Sequence, residues 1–427
     1  MAVALAAVAG SGEPASAQAP ASEQIKRIVD GAAFKKATAK LDADHDRTIA
    51  DIIALTEIPA PPFKEENRGR AYLAMLQAHG LADVEMDAEG NVMGLRRGAG
   101  GGPLIVISAH LDTVFPEGTD VKVKRTGTVL KAPGVGDDSR ALAVLLALLR
   151  AMDAAAITTK ADILFVGTVG EEGKGDLRGV RYLFAKGKYK DRIKVFLSMD
   201  GNDPSRLVNG AVGSKRYRVT FKGPGGHSYG AFGLVNPAFA MAEAMSLFAR
   251  VQVPARPKTT FTVGVIGGGT SVNAIPNEVW MEVDMRSESP APLAVLEKRL
   301  LAIVEQAVAT ENAARLTKEG PITVDVKLIG DRPAGTTDPQ AELVQIATAA
   351  VIAHGYQPNA AQNPFLATSS TDSNVPISLG IPALTIGSGG KGERSHSLDE
   401  WIDVEKGESV RGMSVALALL LALAGAD

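Results

Sequence analysis

Two adjacent carboxylates, Glu171 and Glu172, follow the apolar run Ala161–Thr168. Neighbouring residues at a strand end point different ways, so one carboxylate can bind a metal while the other moves a proton. Alone, such a pair would be a solvated acidic turn. Its company argues otherwise: His110-Leu111-Asp112, Asp137-Asp138, Met199-Asp200-Gly201 and Ser395-His396-Ser397 each close an apolar stretch. In extended chain, residues two apart face the same way, so His110 and Asp112 look into one space. A neutral imidazole is a good zinc ligand, and a carboxylate beside it can fix its tautomer. Asp137 comes straight after Gly134-Val135-Gly136, where two glycines allow tight backbone geometry. Its two oxygens could reach two metal ions. The chain has no cysteine, so disulfides are excluded and any metal must be held by histidine and carboxylate.

The elements that must position these groups alternate between strand and helix. Pro103–Ser108 and Ala161–Thr168 read as buried parallel strands, and Ile193–Met199 as a third that delivers Asp200. Open α/β sheets place their ligands at such strand ends. Helical spacing covers 44–56, 68–79, the apolar stretch beginning near Leu142, 177–186, 340–353 and 404–423. Val84–Leu95 reads as a hairpin turning at Glu89-Gly90-Asn91. From Ala211 to Leu328 the pattern changes to β-α-β-β-α-β, the ferredoxin-like order. This predicts an inserted domain at 211–328 inside a catalytic domain formed by 26–210 and 329–427. The glycine-rich turn Gly223–Ser228 presents His227, and the loop Gly267–Asn273 follows a strand. Thr368–Asn374 reads as a polar loop.

At 427 residues the chain is too long for one ordinary domain. Its formal net charge of −3 gives no reason to expect nucleic acid as a partner. The apolar run Ala416–Ala424 is too short to cross a bilayer. Residues 1–25 are small, apolar and rich in Ala and Pro, with small-x-small sites at Ala15-Ser16-Ala17 and Ala17-Gln18-Ala19. They read as a secretory signal peptide, which predicts export, or as a disordered leader, which leaves the protein in the cytoplasm. His45, His79 and His354 lie in helical patterns away from the motifs and read as packing or surface residues.

The ordered set His110-Leu111-Asp112, Gly136-Asp137-Asp138, Glu171-Glu172, Asp200, Gly223–Ser228, Thr371-Asp372 and Ser395-His396 resembles the co-catalytic zinc hydrolases. That family includes aminoacylase, carboxypeptidase G, peptidase T, acetylornithine deacetylase and succinyl-diaminopimelate desuccinylase. The likeness runs from about Ile49 to the C-terminus. It implies an α/β catalytic domain with a central mixed sheet flanked by helices, plus an inserted ferredoxin-like dimerisation or lid domain. By the same resemblance His110 and Asp200 bind one zinc, Glu172 and His396 the other, and Asp137 bridges both. Cobalt or manganese are implied as substitutes. Glu171 is the general base and Asp112 orients His110. His227 stabilises the oxyanion, usually in the partner subunit's site, so a homodimer through the inserted domain is implied. Asn273 contacts substrate, and Arg332 or Arg286 holds a substrate carboxylate. The peptide after the bridging aspartate is cis. Ser139-Arg140 departs from the Lys-Gly common among relatives. The implied substrate is a small peptide, or else an N-acyl amino acid. A silent binding protein on this fold would have lost the base or a ligand, and every such position is filled here.

Overall fold

Four parallel strands, Asp162–Thr168, Leu104–His110, Ile193–Met199 and Ala383–Ile386, form the middle of the main sheet in the order 162–168, 104–110, 193–199, 383–386. The computed structural model describes residues 21–100, 102–357 and 365–426. The expected leader at 1–25 therefore lies outside the described residues up to position 20. From Ala21 the chain is helical, through Ala21–Asp30 and Ala32–Ala43, two elements that the sequence reading did not assign.

The strand Leu104–His110 is buried along its whole length. Leu104 and Val106 face one layer of the core, while Ile105, Ile107 and Ala109 face the other. A strand covered on both faces has no polar side to show, which is why it reads as a continuous apolar run. The larger layer is built on the helices Arg140–Ala154, Glu342–Ala353 and Lys406–Ala424; the other is built on Arg178–Ala185. Antiparallel strands extend the sheet. Val92–Arg96 pairs with Asp162–Thr168, and Ala82–Met86 pairs with Val92–Arg96. At the other side Leu207–Ala211 joins Ala383–Ile386, Gly335–Thr336 and Leu366–Ser369. The expected polar loop is thus shorter: Leu366–Ser369 pairs as a strand and Asn374–Ser378 starts a helix.

Lys406–Ala424 corrects the expectation of a run too short to span a bilayer. This helix has 19 residues and a mean hydropathy of 1.4, long and apolar enough by length and composition. Its most apolar window is 72% buried inside the protein, so here it serves as a core helix.

The second unit is a four-stranded antiparallel sheet in the order Thr259–Gly268, Glu278–Ser287, Gly213–Lys222, Thr323–Arg332. Burial along Glu278–Ser287 alternates strictly, as in a sheet covered on one side. The helices Pro237–Phe248 and Pro290–Ala314 cover that side. The sheet runs to Arg332 because Gly330, Asp331 and Arg332 continue the ladder opposite Arg216, Lys215 and Ser214. The exit from this unit therefore falls four residues beyond the expected Leu328.

Candidate metal and catalytic centre

Because the central strands are parallel, their C-terminal ends lie along one edge of the sheet. His110 ends its strand, Glu171 and Glu172 follow Thr168, and Asp200 follows Met199. Asp137 arrives from the turn before the helix Arg140–Ala154, and the Asp137–Asp138 peptide is cis, as the resemblance implies. His396 comes from a loop in which it and Arg394 both have positive φ, 67° and 65°. Such a backbone costs of order 1 kcal/mol or more in a residue with a side chain, and is kept where surrounding structure enforces it.

The side chains converge. His110 Nε2 lies 2.9 Å from Asp137 Oδ1, and His396 Nε2 lies 3.2 Å from Asp137 Oδ2 and 2.8 Å from Glu172 Oε1. Asp137 thus turns one oxygen to each imidazole. Ligand atoms of His110, Asp137 and Glu172 fall within 4.8 Å of one another, and so do those of His110, Asp138 and Asp200. Asp138 is less free than Asp137: its Oδ2 accepts the His110 backbone N–H at 3.0 Å, although its Oδ1 is buried without a partner.

Asp112 is fully buried and works on three neighbours. Its carboxylate accepts the backbone N–H of Glu171 at 3.0 Å and of Glu172 at 2.8 Å. Its backbone carbonyl stands 3.0 Å from His110 Nδ1, and this contact aims Nε2 at the cluster. Glu171 is buried beside Arg332, whose Nη1 reaches Glu171 Oε1 at 3.2 Å and Ser370 Oγ at 2.9 Å. Arg332 Nη2 donates to the Glu171 carbonyl.

The charges show what is needed to balance the site. Burial, with Glu172 and Asp200 nearby, raises the Glu171 carboxyl well above its ordinary value, although Arg332 pulls the other way. Burial and Asp137 push Asp200 up to about 7. Burial lifts Asp372 to about 6. Hydrogen bonds to Asp137 and Glu172 raise His396 to about 11. Burial would lower His110, but Asp138, Asp112 and Asp137 hold it well above the usual imidazole range. Burial would likewise raise Asp137, but its hydrogen bonds from the two histidines hold it below the usual carboxylate range. Each uncompensated buried ion costs several kcal/mol. A carboxylate-rich pocket with two imidazoles and the unpartnered oxygens of Asp138 and Asp372 fits divalent cations.

Glu400 was missed by the sequence reading. It is buried, and its carboxylate accepts the backbone N–H groups of Gly134 at 2.9 Å, Gly136 at 2.7 Å and Asp137 at 2.9 Å. It fixes the turn that carries Asp137, and burial plus Asp137 push it up to about 7. Its signal was the acidic pair Asp399-Glu400 just beyond His396. A small sheet of Lys391–Glu393, Trp401–Asp403, Val129–Lys131 and Lys124–Thr126 flanks this region and was also unforeseen.

The remaining candidates lie in the inserted unit. His227 is exposed in Gly226–His227, which pairs with Ala274–Ile275, and its Nδ1 accepts from Tyr229 N at 3.2 Å. Asn273 is exposed nearby, and its carbonyl accepts Ser228 N at 2.9 Å. Among the described residues, no hydrogen bond or ion pair joins either one to the cluster. Arg286 donates to Asp284 at 2.7 Å on the sheet of the same unit. Of the two arginines, only Arg332 is brought to the cluster. The outlying histidines stand away from the cluster, and burial lowers the pKa of His45, His79 and His354.

Residues 106–422 match the family model described as Peptidase family M20/M25/M40. A succinyl-diaminopimelate desuccinylase of Leptothrix cholodnii is 27% identical over 245 residues, covering 53% of this chain and 63% of that protein. The chain spans less than two thirds of the length of the curated relatives it matches. A tripeptidase structure from Staphylococcus aureus is similar with a TM-score of 0.71 at 21% identity, over 89% of this chain and 98% of that one. A dinuclear metal-binding peptidase of Bacillus subtilis is similar with a TM-score of 0.63 at 19% identity, over 90% and 99%. These structural likenesses establish the shared α/β fold.

Proposed function

This chain belongs to peptidase family M20/M25/M40, and on that premise we propose that it hydrolyses an amide bond in a small peptide or an N-acyl amino acid, with two zinc ions per subunit. The observation that carries this reading is the buried Glu171 carboxylate beside the convergent group His110, Asp137, Glu172 and His396. His110 and Asp200 would hold one ion, Glu172 and His396 the other, with Asp137 between. Zinc when bound lowers the pKa of water and polarises a carbonyl, and cobalt or manganese could replace it.

The protein's own groups supply the rest. Burial makes Glu171 a strong proton acceptor, so it can take the proton of the attacking water and pass it to the departing amine nitrogen. Asp112 holds the Glu171 and Glu172 amides and the His110 ring in register. Arg332 keeps Glu171 in place instead of standing open to a substrate carboxylate. Deacylation of an N-acyl amino acid is the second reading, favoured by the likeness to the desuccinylase.

His227 would complete the site from a second subunit. Its surroundings support a homodimer through the inserted unit: Tyr229 and Phe232 are 89% and 84% exposed, and Val272 is fully exposed beside Asn273. We also propose export, on the composition of the leader expected at residues 1–25.

The test is a substrate panel with metal analysis. Zinc-loaded protein is assayed on di- and tripeptides against N-acetyl, N-succinyl and folate-type compounds. Hydrolysis of one class, abolished by a chelator and restored by zinc, is expected. Fully metallated protein inert on every class would overturn the reading.

A further inference from the structure

The inserted unit is tied to the catalytic domain at its two chain crossings, Val212 on entry and Pro333 on exit. The crossings lie side by side: a Cβ on Gly213 would stand 2.7 Å from the Cβ of Ala334. Asn374 is fully buried next to them. Its Nδ2 donates to the Val212 carbonyl at 2.9 Å and to the Pro333 carbonyl at 3.0 Å. Its Oδ1 accepts Thr371 N at 3.0 Å. A carboxamide has two N–H donors, and here each crossing takes one. The opposite rotamer would set an oxygen against both carbonyls, so the three bonds fix the amide in one orientation.

The surrounding segment adds to the grip. Val212 N donates to Ser369 O at 2.7 Å, and Arg332, one residue before Pro333, donates to Ser370 Oγ. Asp372 Oδ2 accepts Thr168 Oγ1 at 2.5 Å, three residues before Glu171. One segment, 369–374, therefore holds the entry, the exit and the strand end that carries the glutamate pair.

We propose that Asn374 is a positioning residue that clamps both crossings together and so sets where Arg332 stands against Glu171 and how far the inserted unit can swing. Its kinetic consequence rests on the reading of Glu171 as the proton-transfer group; the mechanical claim does not.

Asn374→Asp keeps the shape and the Thr371 bond but removes both donors and faces two carbonyls with a charge. Since the chain has no cysteine, spin labels can be placed uniquely at Lys36→Cys in the catalytic domain and Lys298→Cys in the inserted unit, both exposed. In the metal-loaded full chain, Asn374→Asp is expected to broaden the interspin distance distribution. Turnover of trialanine or N-succinyl-alanine should fall about tenfold at constant metal content, and Arg332→Lys should add little further loss, because both act through one path. An unchanged distance distribution, or losses that multiply, would overturn the proposal. If neither probe is hydrolysed by the parent, the substrate reading fails while the distance result still decides the clamp. Should Asn374→Asp not fold, hydrogen exchange on the parent decides instead. Amides of 210–214, Arg332, Ala334 and Gly335 should be protected like the central strands, and rapid exchange there would refute the clamp.

Discussion

Arg332 Nη1 stands 3.2 Å from Glu171 Oε1, and its other terminal nitrogen donates to the Glu171 backbone carbonyl. The guanidinium grips the glutamate by head and backbone at once. A lysine offers a single point charge and cannot reproduce that fork. Arg332→Lys should therefore lower kcat about tenfold or more while KM changes little, since a small misplacement of a reacting group is costly. Steady-state kinetics check this; a rise in KM alone would instead make Arg332 a substrate anchor.

The glutamate pair should separate cleanly. Glu171→Gln keeps the shape and removes proton transfer, so turnover should fall about a hundredfold or more with metal content intact. Glu172→Gln should instead release metal. Elemental analysis beside kinetics on both variants distinguishes the roles.

Among the described residues the Glu400 carboxylate hydrogen-bonds to three backbone N–H groups, and so holds the turn that carries Asp137. Glu400→Ala should weaken metal affinity about tenfold to a hundredfold, as losses of supporting contacts around metal sites do. A competition titration with a metal chelator measures this, and activity should return at high zinc.

Without metal, stability should fall as pH rises, while the stabilisation that metal adds should grow. Asp200 and Glu400 at about 7, and His110 and His396 held above the ordinary imidazole value, all bind protons more tightly in the folded chain than in the unfolded one. Their stabilisation is full at low pH and is lost as pH rises through their folded values. The lowered values of Asp137 and Asp112 act below about pH 4, and the three packing histidines act below about 6.5. From about pH 6.5 to 9 the chelated protein should thus melt at progressively lower temperature. Metal replaces those protons, so its stabilising effect should grow over the same range. Thermal unfolding with and without zinc tests both halves.

Much of the fold was legible because strands buried on both faces and amphipathic helices write their period into the sequence. His110, Glu171, Glu172 and Asp200 stand at predicted strand ends, where parallel pairing brings them together. The ferredoxin-like order was equally plain, since Glu278–Ser287 alternates with its single covered face. What escaped depends on contacts far apart in sequence. Glu400 acts 263 residues from Asp137, and the acidic pair it forms with Asp399 does not say which backbone it will hold. Asn374 looked like one more polar loop residue, because nothing nearby announces the two carbonyls it serves. Arg332 and Arg286 look alike in sequence and differ only in where their strands end, since Thr323–Arg332 ends at Glu171.

The place of Ala383–Ile386 between Ile193–Met199 and Leu207–Ala211 bears on how the chain is made. Its two sheet neighbours begin 190 and 176 residues earlier in the chain, and until it arrives the sheet has an open slot in its interior. Nascent chains stopped before residue 383 would display two unsatisfied strand edges, the kind of surface that recruits chaperones or self-associates. The middle of this sheet closes only after residues 383–386 have emerged, long after the strands on either side of them.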